Sequence, residues 1–369
     1  MIKILELFGG IGSCSKALER LGIDYEIADY VEIDKYAVKS FNTIHNTNYK
    51  PQDICKWDKD IEVDLIMHGS PCQDFSLAGK QAGGDKDSGT RSSLMYETIR
   101  IVDKLKPKYV IWENVKNLLS KKHRHNFDAY LETMEKLGYT NYYQVLNAKD
   151  YGIPQNRERV FTISIRKDIN KLFTFPQKQE LKLKLKDMLE DEVDEKYYLS
   201  DEWVKKIKYE YENNTICETR YDEGIRTFKD NICGSLRTID AGGNKCVIQV
   251  KEATKQGYKE AYEGDGVNIS SRMKYQRGNV QKESIQTLTT SGGNDRGVVL
   301  NNLRIRKLTP REVWRLMGFD DEDFEKAEKV NSNTQLYKQA GNSIVVNVLM
   351  AIFKELIKWN LKWIMKNGK

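Results

Sequence analysis

From residue 1 to about 175 the apolar positions of the chain switch between two spacings. Short, nearly continuous runs have the length and β-branched content of buried strands: IKILELF (2–8), YEIADYVE (25–32), VDLIMHGS (63–70), KYVIWENV (108–115), YYQVLNA (142–148) and RVFTISI (159–165). Between them CSKALERLG (14–22), YAVKSFNTIH (36–45), LMYETIRIVDKL (94–105) and NFDAYLETMEKLG (126–138) repeat apolar residues at the i, i+3, i+4 spacing of an amphipathic helix. Strands alternating with helices predict an α/β fold with a Rossmann-like, doubly wound, mostly parallel sheet. A further strand is expected just before Asp53.

From about residue 176 the pattern changes. QKQELKLKLKDMLEDEVDEKYY (177–198) is charge-rich and reads as a connector, and residues 217–300 are rich in Gly, Asn and Thr with short strand-like pieces, which predicts a smaller β and loop domain. Helical spacing returns in TPREVWRLMGF (309–319) and SIVVNVLMAIFKELIKW (343–359), where Val345, Val348, Leu349, Ile352 and Leu356 form an apolar stripe that needs the first domain's sheet to cover it. The division expected is 1–175, 176–325 as an inserted domain, and 326–369 returning to the first. SLRTIDAGGNK from Ser235 and SIQTLTTSGGND from Ser284 form a weak repeat, each read as a strand running into a hairpin turn.

Composition narrows the classes. Hydrophobic residues make up 39% and charged residues 31% of 369 positions, with a net charge of +6 that permits a nucleic-acid partner without demanding one. The sequence shows no uninterrupted apolar stretch of membrane-spanning length and no leader, so a cytoplasmic protein with no membrane partner is expected. Cys14, Cys55, Cys72, Cys217, Cys233 and Cys246 include no C-x-x-C pair and no His at ligand spacing, which favours free thiols and no metal. His123 and His125, in KKHRHN, read as a solvated basic surface.

The candidate chemistry gathers at predicted strand ends. Phe8-Gly9-Gly10-Ile11-Gly12 follows the first strand, Glu32 ends the second, Asp53 follows the expected extra strand, Cys72 follows VDLIMHGS in a Pro-Cys turn, and Glu113, in WENV, is expected just after the next strand. Carboxyl ends of parallel strands line one edge of the sheet, so these side chains would face one cleft. Taken singly, Cys72 could be a small buried hydrophobe and Asp53 an ordinary turn acid. The Gly-rich turn lacks the third Gly of the dinucleotide fingerprint, which favours a single nucleoside over a pyrophosphate ligand. Arg157 and Arg159, at alternate positions of QNRER, would point to one face, toward a carbonyl, a phosphate or Glu113.

In this order the motifs resemble the DNA (cytosine-5)-methyltransferases of bacterial or phage type. FGGIGSCSKAL is similar to the family's cofactor loop, GSPCQDFS to its nucleophile loop, ENV to its catalytic glutamate, QNRER to its arginine motif, RKLTPREVWRLMGF to the block that holds the target-recognition domain, and QAGNSIVVNV to the closing motif. The resemblance implies that Cys72 attacks C6 of a cytosine flipped out of duplex DNA, that Glu113 holds N3, and that Arg159 and Arg157 donate to O2 or steady Glu113. It implies S-adenosylmethionine as cofactor, S-adenosylhomocysteine as product, and binding residues Phe8, Gly10, Gly12, Glu32, Ile33, Asp53, Ile54, Leu94, Asn342 and Ser343. It also implies a closing loop with Ser76, Lys80 and Arg91 at the DNA, and recognition segments near Gly264–Ser271 and from Thr287 to about Arg296. The resemblance does not extend to which residues read bases; Arg272, Asn294 and Arg296 are the candidates by their side chains. A monomer with or without a companion restriction endonuclease is expected; a tRNA cytosine methyltransferase of the same fold and a catalytically silent DNA-binding homologue are the rivals.

Overall fold

A computed structural model of the chain describes residues 1–71, 94–200, 202, 204, 216–220, 224–228, 246–270, 278–290, 295–300 and 304–367. The first half forms strands β1 (Ile2–Leu7), β2 (Tyr25–Val31), β3 (Leu65–His68), β4 (Tyr109–Val115), β5 (Tyr139–Asn147), β6 (Gln155–Asn156) and β7 (Glu158–Arg166), with helices α1 (Ser13–Arg20), α2 (Lys35–His45), α3 (Met95–Leu105) and α4 (Arg124–Lys136) between them. The central sheet has the order β2-β1-β3-β4-β7-β5. The pairs β1–β2, β1–β3 and β3–β4 are parallel, while β7 runs antiparallel to both β4 and β5. The chain leaves β1 toward β2 and leaves β3 toward β4, in opposite directions. A crevice therefore opens beyond the carboxyl ends of β1 and β3, where such sheets bind ligands.

Adjacent strand residues feed opposite layers, because side chains alternate across the sheet. Leu5, Ile66, Val110 and Trp112 pack with α3 and α4, whereas Ile4, Leu65, Met67 and Ile111 pack with α1 and the C-terminal helices. The predicted apolar stripe is buried as expected: Val345, Val348, Leu349, Ile352 and Leu356 share a cluster with Ala17 and Leu18. By length and composition alone Asn333–Ile357 could cross a membrane, although polar residues interrupt it; its most apolar window has a mean hydropathy of 1.5 and is 61% buried inside the protein. It comprises two helices, Asn333–Asn342 and the start of Val346–Asn367, and the first docks on α2 through Lys338 Nζ to Asp34 at 2.6 Å and Ser40 Oγ to Gln339 at 2.9 Å.

Beyond residue 200 lie β8 (Ile216–Arg220), β9 (Gly224–Phe228), β10 (Cys246–Lys251), β11 (Tyr258–Ala261), β12 (Gly266–Asn268), β13 (Ile285–Gln286), β14 (Arg296–Val299) and β15 (Ile305–Lys307). They form a four-stranded sheet β11-β10-β8-β9 and a three-stranded sheet β12-β14-β15. A separate small core joins Ile248, Val250, Ala261, Val267, Ile269, Val299 and Ile305.

Some sequence expectations change. The stretch before Asp53 is not a strand; Asp53 instead caps a single turn, Ile54–Lys56, by accepting from the Cys55 amide at 3.0 Å. Glu113 lies inside β4, opposite Phe161 of β7, because the antiparallel partner extends the ladder past it. His123 is 1% exposed while His125 is exposed, so only one of the pair is solvated. The first copy of the repeat lies outside the described residues; in the second, Ile285–Gln286 pairs in parallel with Gln155–Asn156 rather than forming a hairpin arm.

Candidate active site

The turn after β1 is built around positive φ. Phe8, Gly10 and Gly12 take φ of 54°, 57° and 84°. At Gly12 a Cβ would lie 2.2 Å from His45 Nε2 and 2.8 Å from Phe41, so the turn presses directly on α2; at Gly10 it would meet nothing within 4 Å, leaving that side open. The Gly10 amide donates to Glu32 Oε2 at 3.1 Å, the Asp34 amide donates to Oε1 at 2.8 Å, and Tyr30 Oη donates to the Gly10 carbonyl at 2.6 Å. Burial pushes the Glu32 carboxyl above its ordinary range, partly opposed by those amides. Beside it Ile33 is 70% exposed, a bare aliphatic face at the rim of the crevice.

Asp53 reaches the same rim on a loop tied to β2. Gln52 donates to the Glu32 carbonyl through its amide at 2.8 Å and to the Tyr30 carbonyl through Nε2 at 2.6 Å, and Trp57 Nε1 donates to Asp29 at 2.6 Å. The Ile54 side chain is buried in the core, so only its backbone can face a ligand; Leu94 is half-buried at the start of α3. Beneath the turn lies a group that sequence reasoning missed. Glu6 is 2% exposed and accepts from the Ser15 amide at 3.1 Å and from the Ser15 hydroxyl, anchoring the start of α1, and burial pushes it up to about 7. A lone acid within the apolar run IKILELF was the available signal.

At the next strand ends, Glu113 is buried and Arg159 Nε lies 3.0 Å from its Oε1. Burial raises the Glu113 carboxyl, while the Arg159 and Arg157 charges oppose that rise. A Cβ on Gly69 would sit 3.8 Å from Glu113 Oε2, so the exit of β3 runs beside the carboxylate. Trp112 Nε1 donates to Ser70 Oγ at 3.0 Å and Asn114 Nδ2 to the Ser70 carbonyl at 3.3 Å, which pins the backbone two residues before Cys72. Under this layer His68 is buried against Trp112 and Tyr130, and burial pulls it down to about 3, leaving it neutral. Cys72, Ser76, Lys80 and Arg91 lie outside the described residues, as do Arg272 and Asn294.

Arg157 does not join Arg159 as a second fork on Glu113. It is 4% exposed, and its guanidinium donates to the carbonyls of Leu288 at 3.3 Å, Gly341 at 3.0 Å and Ser343 at 2.8 Å. Strand alternation fails as an argument here because β6 ends at Asn156 and β7 begins at Glu158, with the Arg157 amide turned back to the Gln155 carbonyl at 3.0 Å. Ser343 is likewise buried in this joint, its hydroxyl donating to the Gln339 carbonyl at 2.8 Å, whereas Asn342 is exposed.

A cleft of about 670 Å³ runs from Val115 and Lys116 past Asn156 and Arg159 to Thr287 and Arg296. Thr287 Oγ1 donates to the Asn156 carbonyl at 2.9 Å. Arg296 is 9% exposed and turns inward, donating to the Thr287 carbonyl at 2.9 Å and the Asp295 carbonyl at 2.8 Å; it braces the wall rather than reaching out as a base reader. Of the other recognition segment, Gly266–Asn268 is β12, with Val267 and Ile269 in the small core, so its interior is sheet rather than loop.

Comparison with known proteins covers nearly the whole chain. Residues 2–358 match the family described as C-5 cytosine-specific DNA methylase. The chain is 36% identical over 414 aligned residues to type II methyltransferase M2.ScrFI of Lactococcus lactis subsp. cremoris, across 97% of this chain and 99% of that protein. It is 34% identical over 430 residues to the orphan methyltransferase M.SPRI of Bacillus phage SPR, across 96% and 97%. The fold resembles that of the Entamoeba histolytica methyltransferase EhMeth with a TM-score of 0.61 at 16% identity, covering 98% and 99% of the two chains.

Proposed function

The chain belongs to the C-5 cytosine-specific DNA methylases and is a DNA (cytosine-5)-methyltransferase, and from that premise we propose that Cys72 is its nucleophile, Glu113 the acid at cytosine N3 and Arg159 the donor that orients both Glu113 and the ring. One observation carries this reading: a buried carboxylate, held at 3.0 Å by Arg159, lies beside the backbone that leads into Cys72.

Cytosine C5 is too weak a nucleophile to attack a methyl donor until the ring is activated by addition at C6. A free thiol has a pKa of ~8.5 and is mostly protonated near neutrality, so the Cys72 proton must leave as the sulfur–C6 bond forms. Electron density pushed onto the ring is then met at N3. A Glu113 carboxyl raised by burial keeps its proton more readily than an exposed one and can share it there, while Arg159 holds its position and faces O2. Loss of the C5 proton and expulsion of Cys72 restore the aromatic ring. Because these groups lie in a cleft, the cytosine has to leave the stack, at roughly a few kcal/mol recovered through pocket and backbone contacts.

The residues at the β1 and β2 ends fit a nucleoside: the open face of Gly10, the Glu32 carboxylate and the bare Ile33 side chain adjoin. S-adenosylmethionine bound there supplies an electrophilic methyl group. Glu32 would hold the ribose hydroxyls, Ile33 and Asp53 the adenine, and Phe8, Gly12, the Ile54 backbone and Leu94 the rest of the wall. We assign residues 176–325 to target recognition, with Thr287 at the DNA, and Ser76, Lys80 and Arg91 to a loop that meets phosphate. The protein is read as a monomer acting on duplex DNA in the cytoplasm. Its relatives include both a type II methyltransferase and an orphan phage methyltransferase, so a companion endonuclease fits the former arrangement.

Incubation with duplex DNA containing 5-fluorocytosine and S-adenosylmethionine should trap a covalent adduct that survives a denaturing gel. Cys72→Ala should abolish the adduct and turnover while leaving S-adenosylhomocysteine affinity within about twofold, since the thiol acts on the base. An adduct formed by Cys72→Ala, or labelled methyl entering tRNA in preference to duplex DNA, would overturn the assignment.

A further inference from the structure

The QNRER segment does more than present Arg159. β6 pairs in parallel with β13, the Asn156 carbonyl accepts from Thr287 Oγ1 at 2.9 Å, and Gln155 accepts from the Leu288 amide at 3.2 Å while donating to the Leu316 carbonyl at 2.8 Å. Arg157 then closes the joint on the carbonyls of Leu288, Gly341 and Ser343. The two gripped segments also touch each other. A Cβ on Gly341 would lie 2.6 Å from the Thr289 carbonyl oxygen and 2.9 Å from the Thr290 amide nitrogen, so their backbones meet with no room for a side chain.

Gripping residues and catalytic residues are thus neighbours in one short stretch, with Arg159, two positions after Arg157, on Glu113. A guanidinium is a planar, rigid fork, so a carbonyl that moves carries the group with it. We infer that Arg157 is a positioning residue that couples the seating of the segment beginning at Thr287 to the placement of Arg159 and Glu113, so that the methylation step quickens only when that segment sits correctly on DNA. The inference rests on the proposed function in taking Glu113 to act at the cytosine and the Thr287 segment to meet DNA. The path is contiguous: Leu288 carbonyl, Arg157, the backbone of Glu158, Arg159, Glu113.

Two variants of the full-length protein test it, using a duplex oligonucleotide carrying the sequence that the wild type is found to methylate. Arg157→Lys keeps the charge and loses the fork; Gly341→Ala leaves every charged group in place and forces the two backbones apart. Both should lower the single-turnover methylation rate at saturating DNA and S-adenosylmethionine by about tenfold or more, with dissociation constants for the duplex and for S-adenosylhomocysteine within about twofold of wild type. A normal rate in Gly341→Ala beside a slow Arg157→Lys would mean that Arg157 acts on the cytosine itself, and a normal rate in both would remove the coupling. Parallel loss of rate, duplex binding and thermal midpoint in both would make the joint a structural tie and overturn the inference. If Arg157→Lys fails to fold, Gly341→Ala alone decides the inference: a slow rate with both dissociation constants unchanged supports the coupling, and a normal rate overturns it. The wild-type adduct on 5-fluorocytosine duplex, run alongside, is lost only if the proposed function fails.

Discussion

At the scale of single residues, the pair Glu113 and Arg159 holds opposed tendencies in balance. Burial favours the neutral acid and the guanidinium favours the carboxylate, with burial prevailing. Removing the Arg159 charge therefore moves the Glu113 pKa further up. If the protonated acid serves N3, Arg159→Ala should shift the basic limb of the kcat profile to higher pH while lowering kcat by roughly a hundredfold, the scale of losing one aimed donor. Arg159→Lys should slow the enzyme and leave that limb close to its original pH, because the charge stays near. Rate-against-pH profiles of the three proteins decide it, and a limb that moves to lower pH in Arg159→Ala would show that Glu113 is not the acid. Neither arginine of QNRER lies on a solvated strand edge: Arg159 pairs with the buried Glu113, and Arg157 is itself buried. Arg157 shows where residue-level reading stops, since alternation presumes an unbroken strand and one tight turn redirects the side chain to backbone carbonyls.

At the scale of elements, the Gly-rich turn depends on what lies beneath it. Glu6 fastens the first turn of α1 to β1, and its folded-state pKa of about 7 stands above the ordinary 4.5. The folded protein thus binds that proton more tightly than the unfolded chain does. The stability it contributes is full below about pH 4.5 and is lost as pH rises through about 7, by on the order of 3 kcal/mol for a shift of this size in a fully buried group. Glu6→Gln keeps an oxygen for Ser15 and cannot ionise, so its urea midpoint should fall less than that of the wild type between pH 5 and pH 8. Identical slopes in the two proteins would exclude Glu6 as the source. Most elements were legible from the chain because strand and helix spacings differ and each strand fills both layers: Leu5 and Ile4, or Trp112 and Ile111, sit on opposite sides as period two requires. Features set by tertiary partners were not legible. The loop before Asp53 resembles a strand but is pinned to β2 through Gln52, and His123 sits in a basic run yet is buried at the start of α4.

At the scale of the molecule, the first-domain core and the small β core meet through a short block, RKLTPREVWRLMGF, whose motif was readable but whose chemistry was not. Arg306, in β15, is 2% exposed and forms a two-armed ion pair with Glu312, which is 0% exposed, at 2.6 and 2.8 Å. Glu312 also accepts from the Glu190 amide of the connector at 2.9 Å and the Thr309 amide at 2.8 Å, while its neighbours Val313 and Trp314 are buried in the large core. One carboxylate therefore joins the small sheet, the connector and the helix Pro310–Arg315. Arg296 is drawn inward by similar logic, and the base-reading role expected of it yields to bracing the cleft. Because desolvation has already been incurred for both partners, breaking the pair leaves a buried charge without its counter-ion. Glu312→Gln should cost about 3–5 kcal/mol in urea unfolding. Replacing both partners with apolar residues, Arg306→Met with Glu312→Leu, removes the stranded charge but still orphans the Glu190 and Thr309 amides, so it should recover only part of that loss. A loss below about 1 kcal/mol in Glu312→Gln would place the fastening elsewhere. If the loss is as large as expected, the small β core is held at the cleft by a buried charge pair together with the Arg157 joint, and activity should disappear before global unfolding as denaturant loosens that contact.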